Sequence, residues 1–175
     1  MPSRPRVNSA PDPFMMGELT RSDTSYNNRG YTDTNAKTVR AGGFTINPAI
    51  KTLVLITAGQ SNFTSVATTA YAPTNGSALD NLNPYNGQMY VASDPLLGSS
   101  VSSQVAPFGV GSLSLRLADK FVTNGIFGRV IIVPLAVGGT ASSTWGTGGP
   151  LYNRVPALAN TLPLGSTTSF TTLTV

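Results

Sequence analysis

The chain has neither cysteine nor histidine among its 175 residues, and these two absences exclude more chemistry than anything else in it. Without cysteine there is no disulfide framework, no thiolate metal site and no cysteine nucleophile. Without histidine, a metal would have to be held by carboxylates and carbonyls alone. The seven acidic residues show no clustered ligand spacing, so no metal and no other cofactor is expected. Long apolar runs are also missing. Met1-Pro2-Ser3-Arg4-Pro5-Arg6 leads into no stretch of signal-peptide length and nothing later approaches a membrane span, so the chain is expected to be made in a cytoplasm and not to cross a bilayer.

Charge is scarce as well: 10% of residues are charged against 40% hydrophobic, and the formal net charge is +4. Its distribution matters more than its size. Arg4, Arg6, Arg21, Arg29, Lys37, Arg40 and Lys51 precede the rest, scattered among Asp12, Glu18, Asp23 and Asp33. They form no dense stripe interleaved with stacking aromatics, which argues against nucleic acid as a partner. Residues 1–50 carry Pro, Asn, Arg, Gly, Ser and Thr with little apolar periodicity, and read as an extended arm that cannot build its own core. Such an arm is either disordered or ordered by lying on another subunit, so an oligomer held through residues 1–50 is expected. Phe14, Met15, Met16 and Leu19 are its candidate anchors.

From residue 51 to residue 175 the pattern becomes that of one α/β domain. Lys51-Thr52-Leu53-Val54-Leu55-Ile56-Thr57-Ala58 is a near-continuous apolar run, as a buried parallel strand requires. A long polar stretch follows to about Val105, with turn signals at Asn75-Gly76, Asn83-Pro84 and Asn86-Gly87 and one strand-like run at Met89-Tyr90-Val91. Asp80 and Asp94 fall inside it, available to orient a substrate or partner. Val110, Leu113, Leu117 and Phe121 then recur at helical spacing, widened by Leu115, Ala118 and Val122, with Arg116, Asp119 and Lys120 on a solvated face. Asn124-Gly125 ends that helix.

A second buried strand runs from Arg129 to Val137 and ends at Gly138-Gly139, and a weaker helical pattern spans Tyr152 to Leu162. Strand, crossover helix and strand of these lengths predict a parallel βαβ unit in a doubly wound sheet. Both strands then end at one rim, which is where open α/β sheets place their chemistry. The first strand runs into Gly59-Gln60-Ser61-Asn62, so Ser61 stands where a nucleophile would. A serine nucleophile normally needs an imidazole to take its proton, and this chain has none.

Three blocks in order now define a resemblance: the apolar strand into Gly59-Gln60-Ser61-Asn62, Pro107-Phe108-Gly109-Val110-Gly111-Ser112-Leu113 at the helix, and Val137-Gly138-Gly139-Thr140 with Trp145 just beyond. Over residues 51–175 the chain resembles the sialate O-acetylesterase-like branch of the SGNH (GDSL-type) serine hydrolases. The resemblance implies that Ser61 is the nucleophile. Its backbone N–H, with one from Gly138 or Gly139, would form part of an oxyanion hole, and Gln60 and Asn62 would position the turn. The family's third block, and its last block with the aspartate and histidine, have no counterpart here. Phe170 to Val175 reads as the start of the strand leading into the third block, so the domain is expected to be either the front part of a longer one or a divergent chain whose fold persists without catalysis.

Two functions follow. In the first, the parent is a carbohydrate O-acetylesterase of which residues 1–175 alone are nearly inactive for want of a base. In the second, the chain is a structural or adsorption protein with a non-catalytic hydrolase-like fold. The Pro- and Arg-bearing arm, the lack of a secretion signal and the weakly charged Ser/Thr/Asn/Gly-rich surface suit a virion component such as a phage fibre or tail protein. The two combine if the arm docks on other virion subunits and the domain meets a host-surface glycan. A cytoplasmic location is the alternative.

Overall fold

The computed structural model describes residues 37–60, 63–84, 86–98, 111–149 and 151–162. Its centre is a four-stranded sheet in the order β1-β6-β3-β4, formed by β1 (Thr52–Thr57), β3 (Leu79–Leu82), β4 (Met89–Val91) and β6 (Arg129–Pro134). β1 pairs with β6 in parallel from Thr52↔Arg129 to Thr57↔Pro134, and β3 pairs in parallel with the other side of β6. Only β4 runs antiparallel, against β3. A two-stranded ribbon, β2 (Ser65–Ala67) with β5 (Gly111–Ser112), precedes the main helix. The result is a mixed, mostly parallel α/β sheet.

Alternation along the strands sorts the core into two faces. Val130 and Ile132 of β6 pack with Leu79, Leu115 and Ala118, placing α1 (Leu113–Thr123) on one side. Ile131 and Val133 pack with Leu82, Met89, Leu158 and Leu162, placing α3 (Arg154–Thr161) on the other. A short helix, α2 (Ser142–Trp145), lies in the connection between β6 and α3. The sheet is therefore sandwiched, with apolar strands filled from both sides as parallel sheets require.

The main helix ends at Asn124-Gly125 as its sequence requires, but it begins only at Leu113, after β5, and its buried stripe is rotated from the expected one. Ser112 caps it by accepting a hydrogen bond from Leu115 N–H at 3.2 Å, and Ser114, Leu115, Ala118 and Asp119 face inward. Leu113, expected in the stripe, is 51% exposed, whereas Asp119, expected in solvent, is 2% exposed. Hydrogen bonding explains the reversal. The Asp119 carboxylate accepts from Tyr71 O–H (2.6 Å), Thr74 N–H (3.0 Å), and Asn75 N–H and Nδ2–H (both 2.9 Å), so burial leaves it fully partnered.

The polar stretch after β1 holds more regular structure than its composition suggests. Its Leu79-Asp80-Asn81-Leu82 segment is β3, an inner strand, and a 3-10 turn at Gly76–Ala78 leads into it. Asp80 is 1% exposed and is gripped by two arginines: Arg40 Nε at 2.5 Å and Arg129 Nη2 at 2.6 Å. Asn81 exchanges bonds with the Leu97 backbone, donating to its carbonyl at 3.0 Å and accepting from its N–H at 2.7 Å. Asp94 likewise serves the fold, accepting from Tyr71 N–H (2.9 Å) and Ser112 Oγ–H (2.8 Å).

Residues 38–40, which composition groups with the arm, lie along the outer edge of β4. Val39 bridges Tyr90, Arg40 N–H donates to Met89 C=O at 2.8 Å, and Val91 N–H donates to Thr38 C=O at 2.8 Å. Lys37 caps the Ser93 and Pro95 carbonyls at 2.7 and 2.8 Å. Phe44 packs against the face covered by α3. The remainder of the arm, residues 1–36, lies outside the described residues, as do 99–110 and 163–175.

Candidate functional site at the carboxyl rim of the sheet

Where β1 and β6 end, their ladder does not. Leu135 N–H donates to Thr57 C=O and Val137 N–H donates to Gly59 C=O, each at 2.8 Å. The second bond ties the start of Gly59-Gln60-Ser61-Asn62 to the residue immediately before Gly138-Gly139. Segments far apart in sequence thus meet at one rim because parallel strands present their carboxyl ends together.

The backbone turns sharply at that rim. Gly59 has φ of +130°, a conformation strained for any residue with a Cβ, and Phe63 N–H closes the following turn on Gln60 C=O at 3.0 Å. Gln60 is exposed; Ser61 and Asn62, the two residues between Gln60 and Phe63, lie outside the described residues. Gly138 is buried and Gly139 exposed. Gly139 has φ of +76° and open space where a Cβ would stand, so its backbone is accessible from the rim.

A hydrogen-bond chain steadies the glycine pair. The Thr140 hydroxyl donates to Val137 C=O at 2.7 Å and accepts from the Trp145 indole N–H at 2.9 Å. Trp145, readable from sequence either as a sugar-lining residue or as partial core, is half-buried with its polar edge directed at the glycine block. Thr57, the last residue of β1, carries an enclosed hydroxyl with no hydrogen-bond partner.

No described carboxylate is free to act at this rim. Asp80 is held between its two arginines. Burial pushes the Asp94 carboxyl above its usual value, against the hydrogen bonds from Tyr71 and Ser112 that favour its ionised form. Burial also acts to raise Asp119, but its hydrogen bonds from Tyr71, Thr74 and Asn75 outweigh that and hold it at about 2. Among the described residues no three His, Cys, Asp or Glu side chains converge on a metal position, and no helix is long and apolar enough to cross a membrane.

Sequence reasoning placed Gln60, Gly138 and Gly139 on one rim but did not single out Arg154, which is buried at the start of α3. Its only sequence signal is its position one helical turn before Leu158, on the inward stripe. No known family model, curated protein or solved structure matches the chain.

Proposed function

We propose that this is a virion-associated protein, of phage fibre or tail type, carrying a glycan O-acetylesterase-like serine hydrolase domain of SGNH type in which Ser61 is the nucleophile. The observation that carries the reading is the Val137–Gly59 hydrogen bond, which sets the Gln60 turn beside the glycine pair at the carboxyl rim. In this reading Ser61 Oγ attacks the acetyl carbonyl. The negative charge on that oxygen is received by the Ser61 N–H and an N–H of Gly138 or Gly139. Collapse releases the sugar hydroxyl and leaves an acetyl-enzyme, which water converts to acetate. The proton leaving Ser61 needs a base, and with no histidine among the 175 residues that base comes from outside this sequence.

The direct test is acetate release from an O-acetylated glycan or a model acetyl ester by the protein in its native particle, compared with Ser61→Ala. Release that disappears with Ser61→Ala supports the reading, and a rate unchanged by that substitution overturns it. The 175-residue chain alone should show only residual turnover, since oxyanion stabilisation and binding without a base accelerate little.

The alternative, a structural or adsorption protein with a non-catalytic hydrolase-like fold, draws support from the aspartates. Asp80, Asp94 and Asp119 are each committed to holding the fold together. Glycan binding by the native particle with no Ser61-dependent acetate release would favour it.

A further inference from the structure

Arg154 is 3% exposed, yet its guanidinium has no hydrogen bond or ion pair among the described residues, and its Nε is wholly enclosed. The other described arginines are all partnered. Arg40 and Arg129 share Asp80, and Arg116 lies over the Tyr71 ring at 4.8 Å. A buried charge without a counter-ion is strongly unfavourable. Arg154 therefore differs in kind from the arginines that hold the fold.

Its place in the fold links it to the rim through α3 and the loop before that helix. Arg154 and Leu158 share the inward face of α3, and Leu158 packs with Val133 and Leu135 at the carboxyl end of β6. Arg154 is the first residue of α3, so its charge belongs to the start of that helix. The loop before it is fastened to the glycine block: Leu151 N–H donates to Thr144 C=O at 3.0 Å, and Trp145 donates to Thr140. The helix start is itself short of acceptors, since Asn153 makes no side-chain cap and Val155 N–H has no acceptor among the described residues.

We propose that Arg154 is the floor of an anion subsite at the start of α3 that takes a carboxylate monoanion. A guanidinium presents a planar fork that matches two carboxylate oxygens, and one unpaired positive charge is balanced by one negative charge. The carboxylate has two possible sources, a small free acid or the acid group of a sugar. The subsite is independent of whether Ser61 is a nucleophile.

The test is thermal unfolding of the full chain in sodium acetate, sodium glucuronate, glucose, and sodium chloride at matched ionic strength. A saturable rise in Tm of about 5 °C or more is expected at a hundredfold excess of a carboxylate over its Kd, absent with glucose and chloride. A response to both carboxylates assigns the site to free acids as well as acid sugars, and a response to glucuronate alone assigns it to acid sugars. Arg154→Met should lose the response and melt higher than the parent without ligand, because an unpaired buried charge has been removed. If Arg154→Met does not fold, Arg154→Lys serves, with a weakened response expected from a point charge in place of a fork. No carboxylate response in the parent overturns the proposal, as does an undiminished response in either variant. Parallel assay of a neutral acetyl ester keeps the esterase reading separate, since its failure leaves the carboxylate shift untouched.

Discussion

β6 and β3 lie side by side in one sheet, equally buried and in parallel register, and are built from opposite materials. The centre of β6 is Val130-Ile131-Ile132-Val133, all 0% exposed, while β3 is Leu79-Asp80-Asn81-Leu82, none above 1%. In β6, burial follows from apolar area, about 25 cal/mol per Å² removed from water. In β3 the middle two residues would resist burial unless partnered, and each recruits a different part of the chain. Asp80 fastens Arg40 and Arg129, and through Arg129 Nη1 the Thr45 carbonyl at 2.6 Å; Asn81 fastens Leu97. The apolar strand joins the layers, whereas the polar strand holds Arg40, Thr45 and the loop beyond β4 in place.

The strongest way to break this contrast is to remove the charge from β3. Asp80→Ala leaves Arg40 and Arg129 without their shared carboxylate, and breaking such a buried cluster typically costs about 3–5 kcal/mol. Ile132→Ala, in register with Asn81 across the ladder, should cost about 3 kcal/mol through lost burial and a cavity. The two should differ in where the loss falls. Asp80→Ala should expose residues 37–45 to proteolysis, and Ile132→Ala should lower global stability without freeing that segment selectively. Urea midpoints and the first cleavage sites measure both, and an Asp80→Ala loss below about 1 kcal/mol would show that the arginines find other partners.

The same contrast explains what could be read in the sequence. β1, β6, α1, α3 and the rim they create announce themselves through apolar runs and helical spacing, because their burial is carried by side-chain hydrophobicity. β3 is silent to that reasoning. Asp80 and Asn81 look like loop residues until Arg40, Arg129 and Leu97 are seen beside them, and those partners are distant in sequence. Asp119 fails in the same way, reading as solvated when its donors Tyr71, Thr74 and Asn75 come from a segment with no periodic signal. The rim followed from parallel strand ends, but Arg154 did not, since a basic residue on an apolar stripe does not by itself tell paired from unpaired.

A smaller effect sharpens the comparison through pH. The Asp119 carboxyl is held at about 2, below its ordinary unfolded value, by hydrogen bonds that outweigh its burial. Its contribution is therefore fully present above the unfolded value near 4 and is lost as pH falls toward 2. Asp94 has the opposite sign: its raised folded value favours the protonated form, so its contribution weakens as pH climbs above the ordinary carboxylate value. Asp119→Asn should cost about 2 kcal/mol at neutral pH by turning an amide N–H₂ toward existing donors. It should also flatten the stability profile between about pH 4 and 2, as read by urea midpoints across that range. A profile as steep in Asp119→Asn as in the parent would move the acid sensitivity to another group.

The smallest expected effect lies at the rim, where the polar linkage is a single chain of two bonds rather than a buried cluster. Trp145→Phe keeps a ring of comparable apolar character but removes the indole N–H that donates to Thr140 at 2.9 Å, and should cost about 1 kcal/mol or less. Thr140→Val removes the hydroxyl itself, so Val137 C=O loses its donor at 2.7 Å and the indole loses its acceptor. Trp145 is the only tryptophan in the sequence, so intrinsic fluorescence reports this linkage without interference from another indole. In Thr140→Val the emission should shift to the red as the indole edge turns to water, while urea unfolding moves only slightly. Unchanged emission would mean that packing of α2, not the hydroxyl, orients Trp145. The hydrogen-bond chain to the glycine pair would then be dispensable, unlike the clusters around β3.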